Sequence, residues 1–159
     1  MSTSASKSAS QVVKDTTPAT KPDFVNTPET IETIISDWVT AKVMSEPKNS
    51  DVKGMSAVSI FFGAGQGHAR HNHPDAEQFI FVVSGHGDMM IEDPDGNPVT
   101  WPIKAGDLVS IPRGAYHSTF NTGWEPIRIL AVYSPAGPEQ AMHDGADFKV
   151  FPPGEIAKL

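Results

Sequence analysis

The 159-residue chain has no cysteine. That excludes disulfides, thiolate metal ligands and a cysteine nucleophile, and it is compatible with a reducing compartment. It also has no basic cluster: 12 Lys and Arg stand against 19 Asp and Glu, for a formal net charge of -7. Nucleic acid binding depends on Lys and Arg neutralising phosphates, and attraction to anionic membranes depends on the same charge, so neither partner is expected. No apolar run approaches transmembrane length. No apolar segment follows the start as in a secretory signal, and the start is too poor in Arg for a mitochondrial transit peptide, so a cytoplasmic location is expected. Internal repeats and long amphipathic helices are missing as well.

The chain is instead rich in turn formers, with 13 Gly and 14 Pro, as short strands joined by tight turns require. Its length suits one domain with a real core. Met55–Phe62 is β-branched and aromatic and stops at Gly63-Ala64-Gly65. Phe79–Val83 is a continuous apolar run, the pattern of a strand buried on both faces. Asp88–Glu92 leads into Asp93-Pro94-Asp95-Gly96, a hairpin turn signal. Further strands fit Val99–Ile103, Leu108–Ile111, His117–Phe120 and Ile127–Tyr133. Such regularly spaced short strands predict an all-β sandwich or barrel.

The ends differ. Residues 1–22 are rich in Ser, Thr and Ala with scattered Lys, and they have too little to bury to offset their ordering entropy. They are expected to form a flexible N-terminal arm, ordered only against a partner, ahead of a barrel domain over residues 23–159. In Phe24–Met44 the spacing of Ile31, Ile34, Ile35 and Trp38 fits a helix, while the β-branched content and flanking Pro28 and Pro47 fit short strands equally well. After Pro135 the chain reads as loop, with a last extended segment at Phe148–Pro153.

The chemistry concentrates in His71-Asn72-His73-Pro74-Asp75-Ala76-Glu77-Gln78 and Pro112-Arg113-Gly114-Ala115-Tyr116-His117. Side chains alternate along a strand, so His71 and His73 share a face and can grip one ion. Glu77 or Gln78 can add an oxygen, and His117 can add a nitrogen from another strand. Neutral nitrogens with one oxygen suit Fe(II), Mn(II), Ni(II), Zn(II) or Cu(II).

These stretches resemble the two signature motifs of the cupin superfamily. The first runs Gly65, five residues, His71-x-His73, Glu77-Gln78, Gly85; the second runs Gly106-Asp107, Ile111-Pro112-x-Gly114-x-x-His117-x-x-x-Asn121. The resemblance covers about Met55 to Tyr133 and implies a double-stranded β-helix, the jelly-roll or cupin barrel. It also implies one divalent first-row metal, with Fe(II) favoured, and a homodimer. The oxygen ligand stays open between two neighbours. Six residues separate Gln78 from Gly85, which fits the family's spacing, whereas Glu77 leaves one residue too many but offers an anionic oxygen. Adjacent strand residues face opposite sides, so only one can serve unless a bulge intervenes.

Around this set, His68, Arg113 and Arg128 are candidates for contact with a small-molecule substrate, Arg because it pairs with anionic groups. His86 and His143 are expected to be solvated. Asn121 is expected to tie the backbone together, and Met55, Val58, Ile80, Val82, Met90, Phe120 and Leu130 to furnish the cavity wall, about half of them pointing inward. Three functions fit. Family analogy favours a non-haem dioxygenase acting on a chelating carbonyl, enol or phenolic compound. The alternative is a redox-free, metal-dependent isomerase, lyase or decarboxylase acting on a sugar acid or similar carbonyl compound. A non-catalytic binding module comes third, because the ligand set is nearly complete.

Overall fold

The structure is a computed structural model and describes residues 24–155. Eleven strands and one short helix follow in chain order. They are β1 (Thr33–Ile35), β2 (Thr40–Ser45), β3 (Ser56–Phe62), β4 (Gly67–His71), β5 (Glu77–Ser84), β6 (His86–Glu92), β7 (Pro98–Lys104), β8 (Leu108–Ile111), β9 (His117–Phe120), β10 (Ile127–Ser134), α1 (Gln140–Asp144) and β11 (Lys149–Phe151). They form two antiparallel sheets, a seven-stranded one in the order β11-β1-β2-β3-β10-β5-β8 and a four-stranded one in the order β4-β9-β6-β7. Non-consecutive neighbours such as β3 and β10, or β4 and β9, are the crossovers of a jelly roll. The expected arm, residues 1–22, lies outside the described residues.

Alternation decides the core. Along β3 the pattern is strictly inside–outside, with Ser56, Val58, Ile60 and Phe62 buried. Ile129 and Ala131 of β10 pair with Ile60 and Val58 on one side and with Val82 and Ile80 of β5 on the other. Met89 and Ile103 of the smaller sheet close the same cluster. Each buried Val, Ile, Phe or Met side chain among these contributes roughly 1.5–3 kcal/mol. Of the expected wall residues, Val58, Ile80 and Val82 are in this core, while Met55 and Phe120 are exposed. Leu130 belongs to the outward register of β10, and Met89 is buried in place of Met90.

The turns are chemically specified. Asp93 Oδ1 accepts the backbone N–H groups of Asp95 and Asn97, each at 2.9 Å, and closes the β6–β7 hairpin. Gly85 joins β5 to β6 at φ +81°, and a Cβ there would lie 2.7 Å from the Pro126 carbonyl oxygen. Asn121 donates to the carbonyls of Phe62 at 2.9 Å and Glu125 at 2.8 Å and accepts from Gly123 N–H, so it ties the backbone as expected.

Two expectations are corrected and one open reading is decided. Phe79–Val83 is not buried on both faces, since β5 alternates and leaves Phe79, Phe81 and Val83 exposed. An apolar run cannot by itself reveal that one face of a sheet is uncovered. Of the two readings left open for Phe24–Met44, short strands hold, because Ile34 and Ile35 of β1 pair with β2. His143 is not solvated: its Nδ1 lies 3.2 Å from Glu32 and its Nε2 3.1 Å from Glu46, which fastens α1 to the β1–β2 region.

Candidate metal centre

His71 and His117 are direct partners across the β4–β9 ladder, so both rings leave the sheet on one face. His73 follows two residues on, and its backbone carbonyl accepts Gly114 N–H at 2.9 Å. Gly114, at φ +75°, forms the turn that delivers β9. One ligand atom from each of the three imidazoles lies within 4.8 Å of the others. Donors about 2.1 Å from one ion stand about 3–4 Å apart, so small side-chain rotations close the set.

The free nitrogens are identifiable. His71 Nδ1–H donates to the Ala69 carbonyl at 2.7 Å, and His117 Nδ1–H donates to the Ala115 carbonyl at 2.9 Å. A carbonyl only accepts, so both rings carry their proton on Nδ1 and present the Nε2 lone pair, as ligand histidines do. Among the described residues, the buried side-chain atoms without a hydrogen-bond partner are His73 Nε2, His117 Nε2 and Gln78 Oε1. Buried acceptors rarely stay unpaired, and three of them in one fold need a reason. A divalent ion is a fitting reason, because Gln78 Oε1 and His117 Nε2 offer lone pairs and His73 Nε2 does so in its Nδ1–H tautomer.

The two neighbours on β5 are now separated. Gln78 is buried and paired across the ladder with Tyr133 and Ile111. Glu77 is exposed on the opposite face beside Ser134. A register shift does occur in β5, but it lies near Val83, beyond the stretch that aims Gln78 inward.

Burial keeps the imidazoles neutral. It pushes His73 and His117 down to about 4 and lowers His71 as well. His68 falls to about 3, from burial first and then from its histidine neighbours. Its ring stacks on His71 at 3.6 Å between centroids and on Trp38 at 4.4 Å. A register shift in β4 between His68 and His71 permits that contact, since residues three apart on a regular strand face opposite sides. Trp38 also packs on Phe62 and Phe148. Sequence reading missed Trp38 and also Tyr133, whose buried ring meets His73 edge-on at 5.1 Å and whose phenol is held protonated by burial.

The remaining candidates divide. His68 joins the site. Arg113 sits exposed on the Pro112–Ala115 turn, whose Gly114 bonds His73, and no ion pair or hydrogen bond holds it among the described residues. Arg128 points outward, its guanidinium 4.8 Å from the Phe61 ring centre, so alternation on β10 keeps it off the metal side. A cleft of about 400 Å³ opens beside His73 between Pro74–Ala76 and Pro135–Pro138.

A jelly roll with a three-histidine cluster, two of them paired across β4 and β9 and the third two residues beyond β4, has the fold of a cupin barrel and a donor set suited to a divalent metal. The Cupin domain family matches residues 59–133, and this match together with the fold supports membership of the cupin superfamily. A glucose-6-phosphate isomerase of Thermococcus onnurineus is 33% identical over 96 residues, 60% of this chain and 47% of that protein. The chain thus spans about half the length of the curated relatives it matches. Oxalate decarboxylase from Bacillus subtilis superposes with a TM-score of 0.60 at 24% identity, over 64% of this chain and 27% of that one. KdgF from Halomonas sp. does so with a TM-score of 0.56 at 17% identity, over 67% and 88%. At these identities the two structures bear on the fold alone.

Proposed function

We propose that the chain is a metal-dependent enzyme of redox-free type acting on a small hydroxy-carbonyl compound, with His71, His73, His117 and Gln78 holding one divalent ion. The observation that carries this reading is the unpaired trio of His73 Nε2, His117 Nε2 and Gln78 Oε1. A bound divalent ion would supply polarisation of a substrate carbonyl. Three imidazoles and an amide add no negative charge, which favours that Lewis-acid role over one needing an anionic ligand. The isomerase relatives support the same class of substrate. His68, neutral and in ring contact with His71, supplies a proton acceptor at the edge of the site. Tyr133 keeps its proton beside His73. Arg113, on the turn bonded to His73, is the cation placed to receive an anionic substrate group.

The test is apo-protein reloaded in turn with Zn(II), Mn(II), Ni(II) and Fe(II), then screened against aldoses, ketoses and sugar acids with and without O2. Turnover without O2 and with Zn(II) is the expected result. Turnover that requires both Fe(II) and O2 would replace this reading by the dioxygenase one, which the histidine set also accommodates.

A further inference from the structure

Two tripeptides of the site share one pattern. In Ala69-Arg70-His71 and in Ala115-Tyr116-His117 the imidazole Nδ1–H donates to the carbonyl of the alanine two residues earlier, at 2.7 and 2.9 Å. The residue between each carbonyl and its ring points the other way, as neighbours on an extended chain do. On that outer face the two middle residues meet, with the Arg70 guanidinium carbon 3.7 Å from the Tyr116 ring centre. Glu92 of β6 closes the group. Its carboxylate takes the guanidinium on both oxygens, Nε on Oε1 and Nη2 on Oε2, the latter at 3.1 Å. Its backbone N–H donates to the Tyr116 carbonyl at 2.9 Å. Together the three residues form a clasp that spans β9 from β4 to β6.

The clasp sits where β4 is irregular. His68 stands opposite Thr119 and His71 opposite His117, so Ala69 and Arg70 together face Ser118 alone. Such a two-against-one bulge interrupts the ladder and bends its strand, and bulges recur beside functional sites because they re-aim a side chain. Here the bulge contains the carbonyl that holds His71. Its missing ladder bonds leave that carbonyl to be fixed by other means, and Arg70 supplies the side chain that fixes it from outside. Stability is a weak reason for this arrangement. Arg70 is 53% exposed, and an exposed ion pair adds only about 0–1 kcal/mol. A two-pronged pair capped by an aromatic ring is better explained by the geometry it imposes.

We infer that Arg70, Tyr116 and Glu92 are positioning residues: from the outer face they hold the Ala69 and Ala115 carbonyls, which set the tautomer and direction of the His71 and His117 rings. The inference rests on the reading that these two rings hold the ion. None of the three touches ion or substrate, so each acts through the backbone of its neighbour. Groups bonded directly to ligand histidines commonly contribute tenfold to a hundredfold in metal affinity, and a clasp one step further out should contribute about threefold to tenfold.

The experiment uses the full chain with isotope-labelled histidine and takes two readings. The first, on metal-free protein near neutral pH, is the nuclear magnetic resonance of the ring nitrogens, which reports the tautomer of each imidazole. The second is the affinity for Cu(II) and the electron paramagnetic resonance of the bound ion. The native chain should show His71 and His117 fixed with the proton on Nδ1. Tyr116→Leu and Glu92→Ala should each move both rings toward mixed tautomers, weaken Cu(II) binding about threefold to tenfold and change its spectrum. Tyr116→Phe, which keeps the ring face under Arg70, should behave as native. Arg70→Gln with Tyr116→Leu should be little weaker than either alone, because both act through one contact. Lys104→Gln, which breaks an exposed ion pair with Asp107 far from the clasp, should change neither reading. Clasp variants that melt lower yet keep native tautomers and native Cu(II) affinity would reduce the clasp to a surface contact and overturn the inference. If the native chain takes up no Cu(II), the metal reading falls by itself and the tautomers decide whether the clasp positions the rings. Mixing in Tyr116→Leu then sustains it, and rings that stay fixed overturn it.

Discussion

Replacing Gln78 by Met separates the stability of the fold from its capacity for metal, because the two should move in opposite directions. Gln78 Oε1 is buried without a partner, and an unsatisfied buried acceptor costs about 1–3 kcal/mol. Met keeps the unbranched length of Gln and removes the stranded oxygen. The metal-free variant should therefore gain about 1–2 kcal/mol, a rise of about 3–6 °C in melting temperature for a domain of this size. With metal at about a hundred times its dissociation constant, the native protein gains about 2.7 kcal/mol. A variant that binds tenfold more weakly keeps about half of that gain, and one that binds a hundredfold more weakly keeps little. Calorimetry with and without Zn(II) reads both effects in one series. Glu77→Ala, on the exposed side of the strand, should leave the metal-induced shift unchanged. If Gln78→Met melts below the native protein without metal and shows the full metal-induced shift, Gln78 is neither strained nor a ligand. The reasoning would then fail at its base.

Metal analysis of His73→Ala and His117→Ala should show occupancy falling from about one ion per chain to a small fraction, and full occupancy in both would remove the site. Stability of the metal-free protein should fall as pH drops from about 6.5 toward about 4. His73 and His117 are held down to about 4 in the fold, so the unfolded chain binds more protons in that window and the contribution is complete only above it. Allowing for solvent at the partly open His73, the loss is on the order of 1–3 kcal/mol, and denaturant melts that are flat between these pH values would contradict it. Trp38→Ala should lower metal affinity several-fold and change the electron paramagnetic resonance of bound Cu(II), because His68 loses the ring that presses it on His71. Trp38→Phe should restore both, and an unchanged spectrum in Trp38→Ala would confine the stack to packing.

How much of this was legible in the sequence depended on the range of the interaction. Strand positions followed from local composition, and β3, β5, β8, β9 and β10 appear where β-branched and aromatic runs predict them. His71, His73 and His117 were legible because the first two are joined by strand period and the third lies just beyond a turn marked by Pro112 and Gly114. The Trp38–His68–His71 stack was not, because it needs a register shift in β4 and the placement of a distant hairpin. His143 between Glu32 and Glu46 was hidden for the same reason, since about a hundred residues separate the ring from either carboxylate. The exposed stripe on β5 was misread because continuous apolarity describes composition, whereas exposure depends on what covers the sheet.

The facing of Glu77 and Gln78 shows how the side chain turned toward a site can be set far from that site. Carboxylate chemistry alone would pick Glu77, whose anionic oxygen binds a divalent ion more tightly than an amide. The register of β5, however, is set by Ile80 and Val82, both buried in the core, and by their pairing with Ala131 and Ile129. Slipping the strand by one residue to turn Glu77 inward would carry Ile80 and Val82 out to solvent and force Phe79 and Phe81 into the space of smaller side chains. Two buried aliphatic side chains, at roughly 1.5–3 kcal/mol each, outweigh what one carboxylate in place of an amide would add to the apo fold, where a buried unpaired charge is itself costly. Hydrophobic register therefore turns the amide of Gln78 inward and the acid of Glu77 outward, and under the proposed ligand set the charge around the ion would follow from the packing of this strand.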